Sequence, residues 1–237
     1  MTELVLSNAT TFFSGSLEKL FKTAKKYGFR YVEIVPYRWT APAEVRRLVN
    51  KYQVQVAGIH LPFVWQSVFK AIESTPVIEE KIAYPIVQFY LGNAVDSPAV
   101  AIAQEFSEQR PYFVIHSNIA AEMGLEKFQN LQSQFHVVIE NIPNDPQLIK
   151  NGVFDHNHFI RSRLEFPSLD IFETYRQAQP EVIHISYDNF LPAGLPNQKQ
   201  QEELKQLLKI HQPRYITIET NPLVSIRKAK RLLDQIL

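Results

Sequence analysis

Eight short apolar runs, each followed by a polar or amphipathic stretch, constrain this chain more than any other feature. The runs are LVLSNAT, YVEIVPYR, VQVAGIHLP, YFVIHSN, HVVIENIP, FPSLDIF, EVIHISYDN and YITIETNP. Short β-branched runs of this kind read as strands, and strands alternating with helical patterns read as a parallel sheet. The segment SLEKLFKTAKKYGF opens at Ser16, sets Leu17, Leu20, Phe21 and Ala24 on one helical face, and reaches Gly28, a natural helix terminator. APAEVRRLVNKYQ carries Pro42 in its first turn, where a missing N–H costs nothing, and SIRKAKRLLDQIL closes the chain as an amphipathic helix. The stretch from Trp65 to Glu108 reads as irregular helix broken by Pro76, Pro85 and Pro98. The pattern predicts an α/β fold: one parallel (β/α)8 barrel, a single domain over residues 1–237, a length ordinary for such a barrel.

Composition narrows what such a barrel does. The formal charge is +1 and charges are scattered, which disfavours an extended nucleic-acid or membrane surface. With no cysteine, disulfides and thiolate metal ligands are both impossible. The opening MTELVLSNATTF lacks the basic region and apolar core of a signal peptide, and no apolar stretch approaches the roughly 20 residues of a membrane span. The expectation is a cytoplasmic protein. The sequence contains no G-x-G, G-x-x-x-x-G-K-[ST], G-x-S-x-G or H-E-x-x-H, so dinucleotide, P-loop, α/β-hydrolase and zincin readings lose their local signatures.

The chemistry lies where the apolar runs give out. His60 ends VAGIH, His116 ends YFVIH, Glu140 ends VVIE, Asp170 ends FPSLD, His184 ends EVIH and Glu219 ends YITIE. In a (β/α)8 barrel the C-terminal strand ends converge on one face, where the active site is built. One such residue alone is usually a solvated loop-edge group, but six in phase predict a common pocket. Carboxylates and imidazoles gathered in one pocket become tolerable when a divalent cation binds them. Glu33, within YVEIVP, is placed to line the same pocket from the second strand. Tyr37, Arg38 and Trp39 follow that strand, and Phe63 and Trp65 follow the third; they read either as a substrate wall or as loop aromatics packed on neighbouring helices. His136 begins its strand and His211 follows a helix, so both are expected away from the pocket.

The ordered pieces YVEIVP, GIHLP, VIHSN, VIEN, HISYDN and TIETNP resemble the xylose isomerase-like TIM barrels, a superfamily of sugar isomerases and epimerases and the endonuclease IV enzymes. The resemblance implies that Glu140, Asp170, His184 and Glu219 form a metal quartet, while His60 and His116 join Glu140 around an additional metal of the endonuclease branch. It has a rival at the sixth strand: FDHNHF offers Asp155 and His158 in the family's Asp-x-x-His spacing. Asp170 is preferred, because Asp155 follows Glu140 too closely for a helix and a further strand. A second departure follows strand seven, where YDNFLPAGLP resembles the family's Asp-x-His: Asp188 remains, but Phe190, which cannot bind a metal, stands in the histidine position. That weakens the endonuclease reading.

Two enzymatic readings and one non-catalytic reading follow. In the first, one divalent ion (Mn, Zn, Mg or Co) chelates a keto sugar or related hydroxy-carbonyl compound, while Glu140 and Glu219 remove and return a proton. In the second, two ions sharing Glu140 activate water against a phosphodiester, with His60 and His116 on one of them. In the third, the barrel binds a ligand without catalysis. The expected partner is a small molecule, a sugar before a nucleic acid, with Glu33, Arg38, Trp39, Trp65 and Asp188 as candidate substrate contacts.

Overall fold

The computed structural model describes residues 2–8, 10, 14–61, 98–142, 150–185, 195–219 and 225–237. Eight parallel strands close into a barrel in chain order: β1 (Glu3–Ser7), β2 (Tyr31–Ile34), β3 (Gln55–His60), β4 (Tyr112–His116), β5 (His136–Glu140), β6 (Val153–Asp155), β7 (Val182–Ile185) and β8 (Tyr215–Ile218). β8 returns to pair with β1, from Glu3 opposite Tyr215 to Leu6 opposite Ile218. The helices of the described residues are α1 (Leu17–Tyr27), α2 (Pro42–Tyr52), α3 (Ala99–Glu105), α4 (Ser117–Glu122), α5 (Leu125–Gln134), α6 (His156–Glu165), α7 (Ile171–Ala178), α8 (Gln198–Ile210) and α9 (Ile226–Ile236). None of them is long and apolar enough to cross a membrane.

The period-two alternation of a strand sorts the side chains into two cores. Leu6, Val32, Ile34, Ile59, Phe113, Ile115, Phe154, Ile183 and Ile216 share a cluster with the helix residues Leu20, Phe21, Leu48, Leu204 and Leu233. They fill the layer between sheet and helices. Residues of the opposite parity, Val5, Ala57, Tyr112, Val114, Val138, Val153, Val182 and Tyr215, form a separate cluster, which is the barrel interior. Two or four positions further along the same parity stand His116, Glu140, Asp155, His184 and Glu219, and His60 stands three beyond Ala57 because the β2–β3 register shifts by one residue there. The apolar interior and the polar mouth are therefore one set of inward-facing positions.

Helix ends follow the local chemistry of the sequence. α1 buries Leu17, Leu20, Phe21 and Ala24 and stops at Gly28, whose φ of 75° lets its N–H reach back to the last turn. α2 begins with Pro42 at its first turn, and α3 begins directly after Pro98.

Two asparagines extend the sheet beyond its strands. The Asn8 side chain donates to Val35 O at 2.8 Å and accepts from Val35 N at 2.7 Å, so it pairs with the end of β2 as a peptide group would. Asn141 does the same at β6, donating to Asp155 O at 3.2 Å and accepting from Asp155 N at 2.8 Å. β6 needs this clamp: it has three residues and one register pair with β5, Glu140 opposite Val153.

The sixth strand differs from the sequence expectation. It is Val153–Asp155, not FPSLDIF, and α6 starts immediately after it. Asp170 is an exposed N-cap, its carboxylate accepting from the backbone N–H groups of Phe172 and Glu173 at the start of α7. The spacing argument failed because two consecutive helices, α6 and α7, follow β6. The long interval lies after the strand rather than before it.

The interior also depends on one glycine. The β2–β3 register shifts between Val32 and Glu33, so that Val32 faces Val56 while Glu33 faces Gly58. A Cβ on Gly58 would stand 2.1 Å from the Tyr112 ring, and that ring is fixed by its hydroxyl bond to Glu33 at 2.7 Å. Gly58→Ala is expected to destabilise the protein by about 1–3 kcal/mol, the usual range for overpacking a filled core. Denaturant unfolding measures this, and an unchanged midpoint would contradict the packing described.

Candidate metal centre

Glu140 Oε2 is the hub of the barrel mouth. His60 Nε2 lies 3.1 Å from it, and His116 Nε2 and His184 Nδ1 each lie 3.4 Å away. His184 Nδ1 is also 3.4 Å from Glu219 Oε2. Glu33, His60, His116, Glu140, Asp155 and His184 are buried, while Glu219 retains 15% of its side-chain exposure and so faces the opening.

Two ligand groups emerge, and they share Glu140. His60, His116 and Glu140 form one; Glu140, Asp155, His184 and Glu219 form the other, with donor atoms of each group lying within 4.8 Å of one another. Two donors each about 2.1 Å from one ion, at tetrahedral or octahedral angles, stand roughly 3.0–3.4 Å apart. The separations around Glu140 and His184 fall in that interval. His184 Nδ1 makes no hydrogen bond among the described residues although two carboxylate oxygens flank it. A cluster of buried carboxylates and imidazoles with this spacing fits a divalent cation, and its oxygen and nitrogen donors suit Mn, Zn or Co.

The electrostatics without a cation point the same way. Burial pushes the Glu219 carboxyl up, and the nearby Glu33 and Glu140 carboxylates overcome the help of His184, leaving it at about 8. Burial opposes a charge on His60, but Glu140, Glu33 and Glu219 outweigh it and raise the ring to about 8. Burial likewise opposes a charged His184, yet Glu33, Glu219 and Glu140 hold it well above the ordinary histidine value. Glu140 is held well below the carboxylate range: burial works against its charge, and the His184 and His116 rings prevail. For His116 burial prevails over the pull of Glu140, and its pKa is lowered. Protons thus do the neutralising that a bound cation would do.

Of the residues singled out in the sequence, the fold brings His60, His116, Glu140, His184 and Glu219 together and leaves Asp170 outside. Asp155, the rival, takes the sixth-strand place. Its carboxylate also caps α6 by accepting from His158 N at 2.7 Å. His158 Nδ1 sits 2.9 Å from Asn141 O and 3.7 Å from Glu140 Oε1, at the rim of the cluster. Glu33 is fully buried beneath the mouth, bonded to Tyr112 and His184. Tyr112 and Thr217 are site-supporting groups that the sequence reading missed. Their signal is parity, since each stands an even number of positions before a strand-end ligand. Arg38 is exposed, and Trp39, 47% exposed, stacks on Tyr37 with ring centroids 5.5 Å apart. Phe63, Trp65, Asp188 and Phe190 lie outside the described residues. His136 and His211 are away from the mouth, as expected: His136 pairs with Glu181 at 2.6 Å and His211 Nε2 lies 3.1 Å from Pro180 O.

Folded Glu219 and His60, both at about 8, keep protons that the unfolded chain releases around 4.5 and 6.5. His184 adds to the same sign. His116, lowered, acts oppositely but below 6.5, and Glu33 and Glu140, also lowered, act below 4.5. Between about pH 6.5 and 8 the folded metal-free state therefore binds more protons than the unfolded one, and stability falls as pH rises. Thermal melts of chelator-treated protein should show this fall, and added zinc or manganese should stabilise more at pH 8 than at pH 6.5; a metal-free melting temperature that climbs over this window would contradict it. In titration calorimetry, Asp155→Asn, which keeps the α6 cap, should weaken metal binding, whereas Asp170→Ala should leave it unchanged and cost about 1 kcal/mol of stability through the lost cap.

No protein-family model and no curated protein matches this sequence. Solved structures do. The crystal structure of an AP endonuclease of family 2 from Brucella melitensis superposes with a TM-score of 0.60 at 15% identity, covering 99% of this chain and 99% of that one. L-ribulose 3-epimerase superposes with a TM-score of 0.46 at 15% identity, over 100% of this chain and 86% of its own. Identity at this level speaks to the fold alone. With a closed barrel of eight parallel strands, matched over 99% of its length, the chain has a (β/α)8 TIM-barrel fold like that of the AP endonuclease structure.

Proposed function

We propose that the protein is a metal-dependent isomerase or epimerase acting on a keto sugar or a related hydroxy-carbonyl compound. The observation that carries the reading is the Glu140–Glu219 pair, two carboxylates on either side of His184 Nδ1, each 3.4 Å from it. Their surroundings set them to opposite tasks. Glu140 is buried at the centre of the cluster, while Glu219 keeps 15% of its side-chain exposure at the opening. Two carboxyls facing one another across a shared ligand suit a proton-transfer reaction, one to remove the proton and one to return it. A divalent ion held by Glu140, Asp155, His184 and Glu219 would polarise the substrate carbonyl and stabilise the negative charge that develops when the neighbouring carbon loses its proton. Glu140 removes that proton, and Glu219, at the open side of the pocket, returns one.

The second reading, a phosphodiester hydrolase, rests on one observation: His60, His116 and Glu140 form a further ligand group beside the first. Two ions sharing Glu140 would suit activation of water for attack at phosphorus.

The readings separate on variants and on solvent exchange, with metal saturating. Under the isomerase reading, Glu140→Gln and Glu219→Gln should each lower kcat by about 10²–10⁴-fold with a small change in substrate binding, and His116→Ala should be much milder. Turnover of the active ketose in deuterium oxide should place deuterium on the carbon beside the carbonyl. A panel of ketoses showing neither turnover nor exchange with metal bound, together with phosphodiester cleavage that His116→Ala abolishes, would replace the first reading by the second.

A further inference from the structure

Glu33 lies beneath the metal cluster and touches it through one atom. Its Oε2 is 3.1 Å from His184 Nε2, accepts the Tyr112 hydroxyl at 2.7 Å, and lies 3.4 Å from the Thr217 hydroxyl. Tyr112 and Thr217 are themselves 3.0 Å apart, and all four side chains are buried. The opposite nitrogen of the same ring, His184 Nδ1, faces Glu140 Oε2 and Glu219 Oε2 at 3.4 Å each. An ionised carboxylate only accepts hydrogen bonds, so the ring nitrogen facing Glu33 must carry the proton. In a neutral imidazole the other nitrogen then has its lone pair free for a cation.

We propose that Glu33 is the positioning residue of the metal centre: by accepting a hydrogen bond from His184 Nε2–H it fixes the ring so that Nδ1 is the ligating atom. The inference rests on the reading of the cluster as a metal site, and adds a second carboxylate layer beneath it. A histidine ligand backed by a carboxylate keeps one tautomer and one ring orientation and becomes a better donor to the ion. Tyr112 and Thr217 hold Glu33 in turn, and Gly58 leaves the space in which the Tyr112 ring lies. The interior polar groups thus form one connected arrangement from β2 through β4 and β8 to the ligand on β7. Glu33 meets no substrate in this arrangement. Its influence on the reaction passes through His184.

The test is made on the full chain labelled with 15N in its histidine rings, with the His184 signals assigned by their loss in His184→Gln. In metal-free protein, long-range proton–nitrogen spectra should show a solvent-protected Nε2–H on His184. Added zinc should leave that proton in place and move Nδ1 to the range of a metal-bound nitrogen. Glu33→Gln, which keeps an oxygen acceptor in similar shape but removes the charge, should weaken zinc binding by about 10–100-fold and shift the Nε2–H resonance. Tyr112→Phe, which leaves the Glu33–His184 bond in place, should weaken zinc binding less. Zinc bound through His184 Nε2, an Nε2 without its proton, or a folded Glu33→Gln protein with native zinc affinity would each overturn the role of Glu33 while leaving the metal site standing. Absence of zinc binding by the unaltered protein would remove the metal reading and this inference with it. If Glu33→Gln fails to fold, the spectra of the unaltered protein decide.

Discussion

Three imidazoles approach one buried carboxylate oxygen, Glu140 Oε2, from β3, β4 and β7, and much of the barrel mouth is arranged around that contact. A lone buried carboxylate costs several kcal/mol after relaxation, and further carboxylates nearby compound the cost. Here Glu33, Asp155 and Glu219 join Glu140, so charge must be supplied by protonated imidazoles, by a proton on Glu219, or by a cation. The structure therefore carries a charge requirement at its centre. Barrel closure makes that requirement unavoidable, because parity aims the strand-end residues inward.

The same parity explains how much of the protein was legible in its sequence. Val138 and Glu140, Val182 and His184, Tyr215 and Glu219 are inward positions of their strands, and each apolar run announces both its core residues and its ligand. The closed barrel and five of the six strand-end residues could be read this way, and the helix boundaries at Ser16, Gly28 and Pro42 from local residue type. The sixth strand could not. Its three residues are too few for a periodic signal, and part of its pairing comes from the Asn141 side chain rather than from a strand ladder. FPSLDIF looked more like a strand because it is apolar, yet Asp170 there terminates backbone N–H groups of a helix, a role for which aspartate is equally suited. Local composition does not distinguish a ligand from a cap; the neighbour across the sheet does.

Asn141 also accounts for the abrupt end of VVIEN. The apolar run delivers Glu140 to the centre, and the next residue turns its amide sideways to hold the strand that carries Asp155. Asn8 repeats the device between β1 and β2, next to Glu33. Both clamps sit at the C-terminal rim, where strand pairing gives out and where ligand geometry must still be exact to a few tenths of an ångström. The fold thus spends polar side chains on backbone pairing at the places where the chemistry is most sensitive to displacement. Glu33, Tyr112 and Thr217 extend the same support inward, below the first ring of ligands.

The central claim is that Glu140 organises a divalent-cation site at this mouth. Anomalous diffraction from crystals soaked in manganese or zinc, with data on both sides of the metal absorption edge, tests it most directly. The account predicts an anomalous peak bounded by Glu140, Asp155, His184 and Glu219, with any second peak bounded by His60, His116 and Glu140. A fully soaked crystal with its metal peaks elsewhere, and with Glu140 still paired only to the three imidazoles, would contradict it.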